Sequence, residues 1–187
     1  MAAKSNLLNM ALCLTVVCLV CSSLLAVSYA VTKEPIEQAK VIKTNKTIAE
    51  VLPEFSGDVV PATVEVGGVS YQYYEAPGAG YAIVSNTSGF GGQLSVMVGI
   101  ADGIVFNTKV LSHSETPGLG AKCQTDSKFL DQFRGFDPAE KKLAVVKDGG
   151  DVDAITASTI TSRAYSLAVA NAVDAYNEII KGGQDNE

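Results

Sequence analysis

Two hydrophobic patterns divide the chain. Between Lys4 and Lys33 no position is charged, and residues 7–31 (LLNMALCLTVVCLVCSSLLAVSYAV) form an almost unbroken apolar run. As a helix, 25 residues reach roughly 37 Å, enough to cross a hydrocarbon core of about 30 Å with some tilt. Ser28-Tyr29-Ala30 resembles a signal-peptidase site. The run is nevertheless too long for a cleaved leader, whose apolar core is about 7–15 residues. An uncleaved single-pass anchor is expected, with residues 1–6 as a short cytoplasmic N-terminus, 7–31 in the membrane, 32–57 as a helical connector and 58–187 as one folded domain. Charge does not orient it, because Lys4 precedes the run while Lys33, Lys40, Lys43 and Lys46 follow it.

After the anchor the period changes twice. PIEQAKVIKTNKTIAEVLP has helical spacing, with Ile36, Ala39, Ile48 and Leu52 on apolar faces. Strand signals follow. Residues 62–66 and 69–74 flank Gly67-Gly68, a two-residue hairpin signal, and 80–85 is a further short strand. In the 93–100 segment Leu94, Val96, Val98 and Ile100 alternate with Ser95, Met97 and Gly99. Asp102-Gly103 then turns the chain into 104–111, where Ile104, Phe106, Thr108 and Val110 are expected to share a face. A short helix is expected over 125–133, with Asp126 and Ser127 as capping candidates, and a strand over 142–146. A helix over 161–181 should end at Gly182-Gly183. Strands followed by flanking helices predict an α+β domain with a mainly antiparallel sheet.

Composition narrows the function. The chain has 187 residues, 47% apolar and 18% charged, with a net charge of −6. Without a basic stripe it does not fit a nucleic-acid binder. Three of its four cysteines lie in the anchor, so the folded domain can form no internal disulfide, and Cys123 reads as a packed small residue rather than a reactive thiol. The anchor cysteines with Ser22, Ser23 and Ala26 could line a helix–helix contact or simply fill apolar space. No ionisable residue lies within the anchor, so it is not expected to conduct ions.

Familiar catalytic constellations are missing. His113 is the single histidine, which excludes histidine-cluster metal sites, and there is no G-x-S-x-G, G-x-G-x-x-G or Walker sequence. No catalytic and no metal-binding residue is assigned. Ser88-Gly89-Phe90-Gly91-Gly92 separates two strands and reads as a bend or a close backbone approach. Two other segments are unusual. His113-Ser114-Glu115-Thr116-Pro117-Gly118-Leu119-Gly120 is an irregular loop after a strong strand; it is either a plain turn or a loop whose glycines let a planar ligand approach. Asp153-Ala154-Ile155-Thr156-Ala157-Ser158-Thr159-Ile160-Thr161-Ser162 carries five hydroxyls within seven residues just before a helix. One or two would cap the helix; the alternative is a phosphate held at the helix N-terminus beside a threonine oxygen.

Together these segments resemble a known family. The 153–162 stretch is similar to the D-x-I-[ST]-[GA]-[AS]-T-x-T-S flavinylation motif of bacterial FMN-binding domains, and 113–120 resembles their H-x-E-T-P-G-L-G loop. The order of parts looks closest to the G-subunit family of Rnf-type ion-translocating ferredoxin:NAD oxidoreductases. The sibling family, the C subunits of sodium-translocating NADH:quinone reductases, usually has G-L-W-S where this chain has Gly89-Phe90-Gly91-Gly92 and no Trp. The resemblance implies FMN joined through its phosphate to Thr159 by a separate Mg-dependent FMN transferase that uses FAD. It implies that Thr156, Ala157, Ser158 and Thr161 frame the attachment. Glu115, Thr116, Leu119 and Gly120 would then lie near the flavin, Leu119 covering it and Thr116 or backbone groups bonding its polar edge. Asp153 would assist recognition or metal binding during transfer, or stabilise a turn, and His113 would be supporting or structural. The commonest motif reads S-G-A-T; here Thr156-Ala157-Ser158-Thr159 keeps the acceptor but puts alanine where glycine takes strained backbone.

An electron-transfer subunit follows from the resemblance. Its partners would be membrane and iron–sulfur subunits, and its folded domain would sit on the periplasmic side of the bacterial inner membrane. From another class, the same sequence would suit a membrane-anchored scaffold without flavin, its hydroxyl cluster only capping a helix.

Overall fold

The computed structural model describes residues 7–55, 57 and 59–184. The expected 1–6 terminus lies outside the described residues, as do the side chains of Ile36 and Ala39. Two compact units result, residues 1–44 and 45–187. The first consists of helix α1 (Leu7–Val51) up to Thr44. Its Asn9–Lys33 stretch is long and apolar enough to cross a membrane and is not buried by any of the described residues. Leu14, Leu19, Leu24 and Leu25 all stand exposed along it.

The second unit begins with the last turns of α1 and continues into five strands: β1 (Val60–Val66), β2 (Val69–Ala76), β3 (Gly80–Ser88), β4 (Gln93–Ala101) and β5 (Ile104–His113). They pair antiparallel in sequence order, a meander. Gly67 and Gly68 close β1–β2 with Val66 opposite Val69, and both take positive φ, as a two-residue hairpin turn requires. Asp102 (φ 52°) and Gly103 (φ 81°) do the same for β4–β5. A helix α2 (Ser127–Leu130) and a long helix α3 (Thr159–Gln184) complete an α+β domain. Asp126 caps α2 by accepting from Lys128 N–H at 3.1 Å.

α3 lies on one face of the sheet. Tyr165, Ala168, Val169 and Ala172 are buried there against Ile83, Val96 and Val98. Two bonds set its position on the strands: Tyr165 O–H donates to Thr108 Oγ1 at 2.8 Å, and Thr87 Oγ1 donates to Ala164 O at 2.9 Å. Phe129 and Phe133 pack on the Tyr165 ring at 5.1 and 4.9 Å. On the other face Ile48, Val51 and Leu52 form a smaller core with Ala76, Ala82 and Met97. β4 is therefore buried on both sides, Met97 as fully as Val96, and its alternation does not mark a solvent face. At Gly99 a Cβ would collide with Val51 O, so the helix end can only settle there over a glycine.

Three expectations are corrected. The inward face of β5 changes phase along the strand. Val105 pairs with Ile100 while Asn107 pairs with Gly99, leaving Phe106 as an extra residue in a β-bulge. Ile104 and Phe106 consequently point outward, and Val105, Thr108 and Val110 point in. Residues 142–146 do not join the sheet as a strand. The segment folds on itself, with Lys142 O and Ala144 O accepting from Asp151 N and Val152 N at 3.1 and 3.0 Å. Val145 is buried by that fold and only bridges Val152, which reproduces a strand-like pattern locally. Finally, α3 starts two residues earlier than expected and runs through Gly182, which does not take the left-handed conformation that would cap it.

Candidate flavin site

The unusual loop and the hydroxyl cluster meet in space. A cavity of about 360 Å³ is lined by Phe90, Glu115, Thr116, Leu119, Gly120, Ala157, Ser158, Thr159, Ile160 and Thr161. Eight of the nine residues that the sequence points to lie in that lining; Thr156 stands exposed outside it. Phe90 and Ile160 carry no such mark in the sequence. Phe90 is hidden by its glycines, which read only as a bend, and Ile160 by its place among hydroxyls. Both are exposed, as is Leu119, so the cavity mouth is apolar. A larger groove of about 680 Å³, between Asp102–Ile104, residues 137–143 and α3, shares no residue with either segment.

Glu115 is the organising group. It is 5% exposed, and both carboxylate oxygens are engaged. Oε1 accepts from Gly91 N–H at 3.3 Å and Oε2 from the Thr161 hydroxyl at 2.8 Å. Three glycines make room for it: a Cβ at Gly89 or Gly120 would strike its carboxylate oxygens, and one at Gly91 would strike the Ser114 carbonyl. His113 steers the same loop. Its Nδ1 accepts from Glu115 N–H at 3.2 Å, which leaves the proton on Nε2 facing Gln124 Oε1 at 3.1 Å. Cys123 is fully buried nearby, and burial first, then the Glu115 charge, push its thiol up to about 11. It is a packed, unreactive residue.

The hydroxyls divide by what they do. Ser158 N–H closes a turn onto Ile155 O at 3.0 Å, and Ala157 occupies its third position with φ 62°. That is the position where a turn of this kind selects glycine. Ser162 Oγ pins the turn to the first coil of α3, accepting from Ile155 N–H and donating to Ser158 O, both at 2.9 Å. Thr161 is committed to Glu115. Ser158 Oγ is buried with no partner. Thr159, the first residue of α3, is half-buried on the cavity. Among the described residues no acceptor faces the N–H groups of Thr159, Ile160 and Thr161, the unpaired donors of the helix start. Asp153 lies apart from the cavity: Gln132 clamps its backbone, accepting from its N–H at 2.7 Å and donating to its O at 3.2 Å.

This geometry fits a flavin nucleotide. An apolar-mouthed cavity suits the ring, and unpaired helix N–H groups suit a phosphate. A family model described as FMN-binding domain matches residues 89–174, which include every cavity residue. A Methanosarcina acetivorans protein, named as the G subunit of an ion-translocating oxidoreductase complex, is 31% identical, over 93% of this chain and 96% of its own length.

The chain belongs to the G-subunit family of Rnf-type ion-translocating oxidoreductase complexes.

Members elsewhere are as similar. The G subunit of Shewanella piezotolerans is 29% identical over 94% of this chain and 92% of its own. A Clostridium ljungdahlii relative, 31% identical over 86% of each chain, is named as the G subunit of a proton-translocating ferredoxin:NAD(+) oxidoreductase complex. Within the family, this chain keeps an FMN-binding domain whose cavity is built from the E-T-P-G-L-G loop and the start of α3.

Proposed function

We propose that this chain is the electron-transfer subunit of a membrane-bound, ion-translocating complex of the ferredoxin:NAD type, carrying FMN joined through its phosphate to Thr159 Oγ. One observation carries the assignment. Of the five hydroxyls, Thr159 alone combines a partly exposed position, no internal partner and a place in the cavity wall. Thr161 and Ser162 are bonded, Ser158 is buried, and Thr156 lies outside the cavity wall.

During maturation Thr159 Oγ attacks the flavin-side phosphorus of FAD, bound to an FMN transferase. An Oγ–P bond forms, the P–O bond to AMP breaks, and AMP leaves with the bridging oxygen. The hydroxyl proton passes to a base of the transferase or to water. The product is a monoanionic diester at the start of α3, where the helix dipole and unpaired N–H groups favour negative charge by about 0.3–1 kcal/mol. Glu115, Thr116, Leu119 and Gly120, with Phe90 and Ile160 at the cavity mouth, would hold the ring. When bound, the flavin supplies electron transfer; the protein positions it and excludes water. Tethering prevents loss of the cofactor between turnovers.

Residues 7–31 anchor the subunit in the bacterial inner membrane, 32–57 connect, and 58–187 form the flavin domain on the periplasmic side. The anchor raises its effective concentration near the membrane and iron–sulfur subunits that exchange electrons with it. As part of a translocase it moves electrons, while ions pass elsewhere in the complex. Coexpression with an FMN transferase tests this. Intact mass should rise by one FMN less one water, with flavin fluorescence surviving denaturing electrophoresis, and Thr159→Val should abolish both. Absence of both in the wild-type chain beside an active transferase would leave the scaffold reading in place.

A further inference from the structure

Ser158 is a hydroxyl with no assignment in this fold. It is 7% exposed, its oxygen has no hydrogen-bond partner, and it stands immediately before Thr159 in the cavity wall. A serine preceding a helix ordinarily spends its oxygen on an N–H of the first turn. Here it does not, although the N–H groups of Thr159, Ile160 and Thr161 lack acceptors among the described residues. The backbone around it is already held: Ser158 N–H bonds Ile155 O, and Ser158 O accepts from both Ser162 N and Ser162 Oγ. A buried hydroxyl left unpaired beside unpaired N–H donors is costly without an acceptor, and no group among the described residues supplies one.

We propose that Ser158 Oγ is a phosphate-binding donor, its hydroxyl hydrogen-bonding a non-bridging oxygen of the phosphodiester on Thr159. The proposal rests on the reading of Thr159 as the FMN attachment point. It assigns Ser158 a role that the more common alanine at this motif position cannot fill. The anion satisfies the hydroxyl and the first-turn N–H groups at once.

A thermodynamic cycle tests this on the full chain in detergent, using Ser158→Ala with and without transferase treatment. Loading is read by intact mass, stability by thermal melting and the diester by 31P NMR. In the unloaded protein Ser158→Ala should melt at or above wild type, because it removes an unpaired buried group. In the loaded protein it should melt about 2–4 °C below wild type, and the 31P resonance should move. Equal upward shifts on loading in both proteins, with an unmoved resonance, would overturn the proposal. So would an unloaded variant that melts lower than wild type, since that marks a helix cap. A variant that folds but does not load would overturn it too, placing the hydroxyl in the transfer step. Failure of the wild type itself to gain the flavin mass would instead remove the Thr159 reading, and this proposal with it.

Discussion

The Thr161 hydroxyl donates to the buried Glu115 carboxylate at 2.8 Å, tying the first turn of α3 to a loop 46 residues earlier in the chain. That bond joins the two halves of the cavity. Thr161→Val keeps the shape and removes one of the two donors recorded for a buried charge. Loss of a charge-assisted bond of this kind costs about 1.5–3 kcal/mol. Glu115→Gln should cost less. Its amide oxygen can accept from Gly91 N–H while its NH₂ donates to Thr161 Oγ1, which then acts as acceptor. Urea unfolding of the two variants should rank Thr161→Val as the more damaging; the reverse order would mean the bond does not organise the loop.

Ala157 is the strained point of the motif. Its φ of 62° costs a residue with a Cβ about 1–2 kcal/mol, partly offset because glycine loses more entropy on folding. Ala157→Gly should therefore stabilise the domain by about 0.5–1 kcal/mol. Ala157→Val, with a branched Cβ at positive φ, should destabilise it by more than the glycine gains. Denaturant midpoints of the three proteins check the order.

Sequence patterning captured the parts that depend on near neighbours. The β4–β5 hairpin follows from alternation around Asp102-Gly103, whose positive φ values are those of a tight hairpin turn. The cavity was legible as two segments because their residue types are unusual for turns and caps alone. What escaped depends on distant contacts. The Phe106 bulge shifts the face of β5 without any local composition cue. The second cover of β4 arrives from Ile48 and Val51, roughly 50 residues away in the chain. Val145 is buried by its own loop, which mimics a strand in a short window. Phe90 joins the cavity because Gly89 and Gly91 flanking it close onto Ser114 and Glu115, a long-range approach invisible as periodicity. Nor does sequence distinguish the five hydroxyls; only burial and partners separate Thr159 from Ser158, Thr161 and Ser162.

Gly99 should be intolerant of a single methyl group. A Cβ there meets the Val51 carbonyl and crowds the Val51 side chain at 3.1 Å. Backbone cannot yield as a flexible side chain does, so Gly99→Ala must lift the end of α1 from the sheet, at about 1–3 kcal/mol. Val51→Ala beside it should not restore stability, because the obstructing atom belongs to the backbone. A double-mutant melt tests this: full rescue by Val51→Ala would place the conflict in the side chain instead.

Acid should loosen the start of α3 through one ion pair. Arg163 donates to both oxygens of Asp148 at 2.6 and 2.7 Å, joining α3 to the 146–148 turn. The hydrogen bond from Arg163, and then its charge, hold the Asp148 carboxyl below its usual range. A depressed carboxyl pKa contributes stability that is present above the unfolded value, about 3.9, and is lost as pH falls through the folded one. Arg163 stays charged throughout, so of the two partners only Asp148 titrates in this window. Both side chains are partly exposed, which keeps the effect small and salt-sensitive. Wild type should melt above Arg163→Gln at pH 7, and the difference should shrink below pH 4 or at high salt. A difference that persists unchanged at pH 2 would show that Arg163 stabilises α3 by packing rather than by its bond to Asp148.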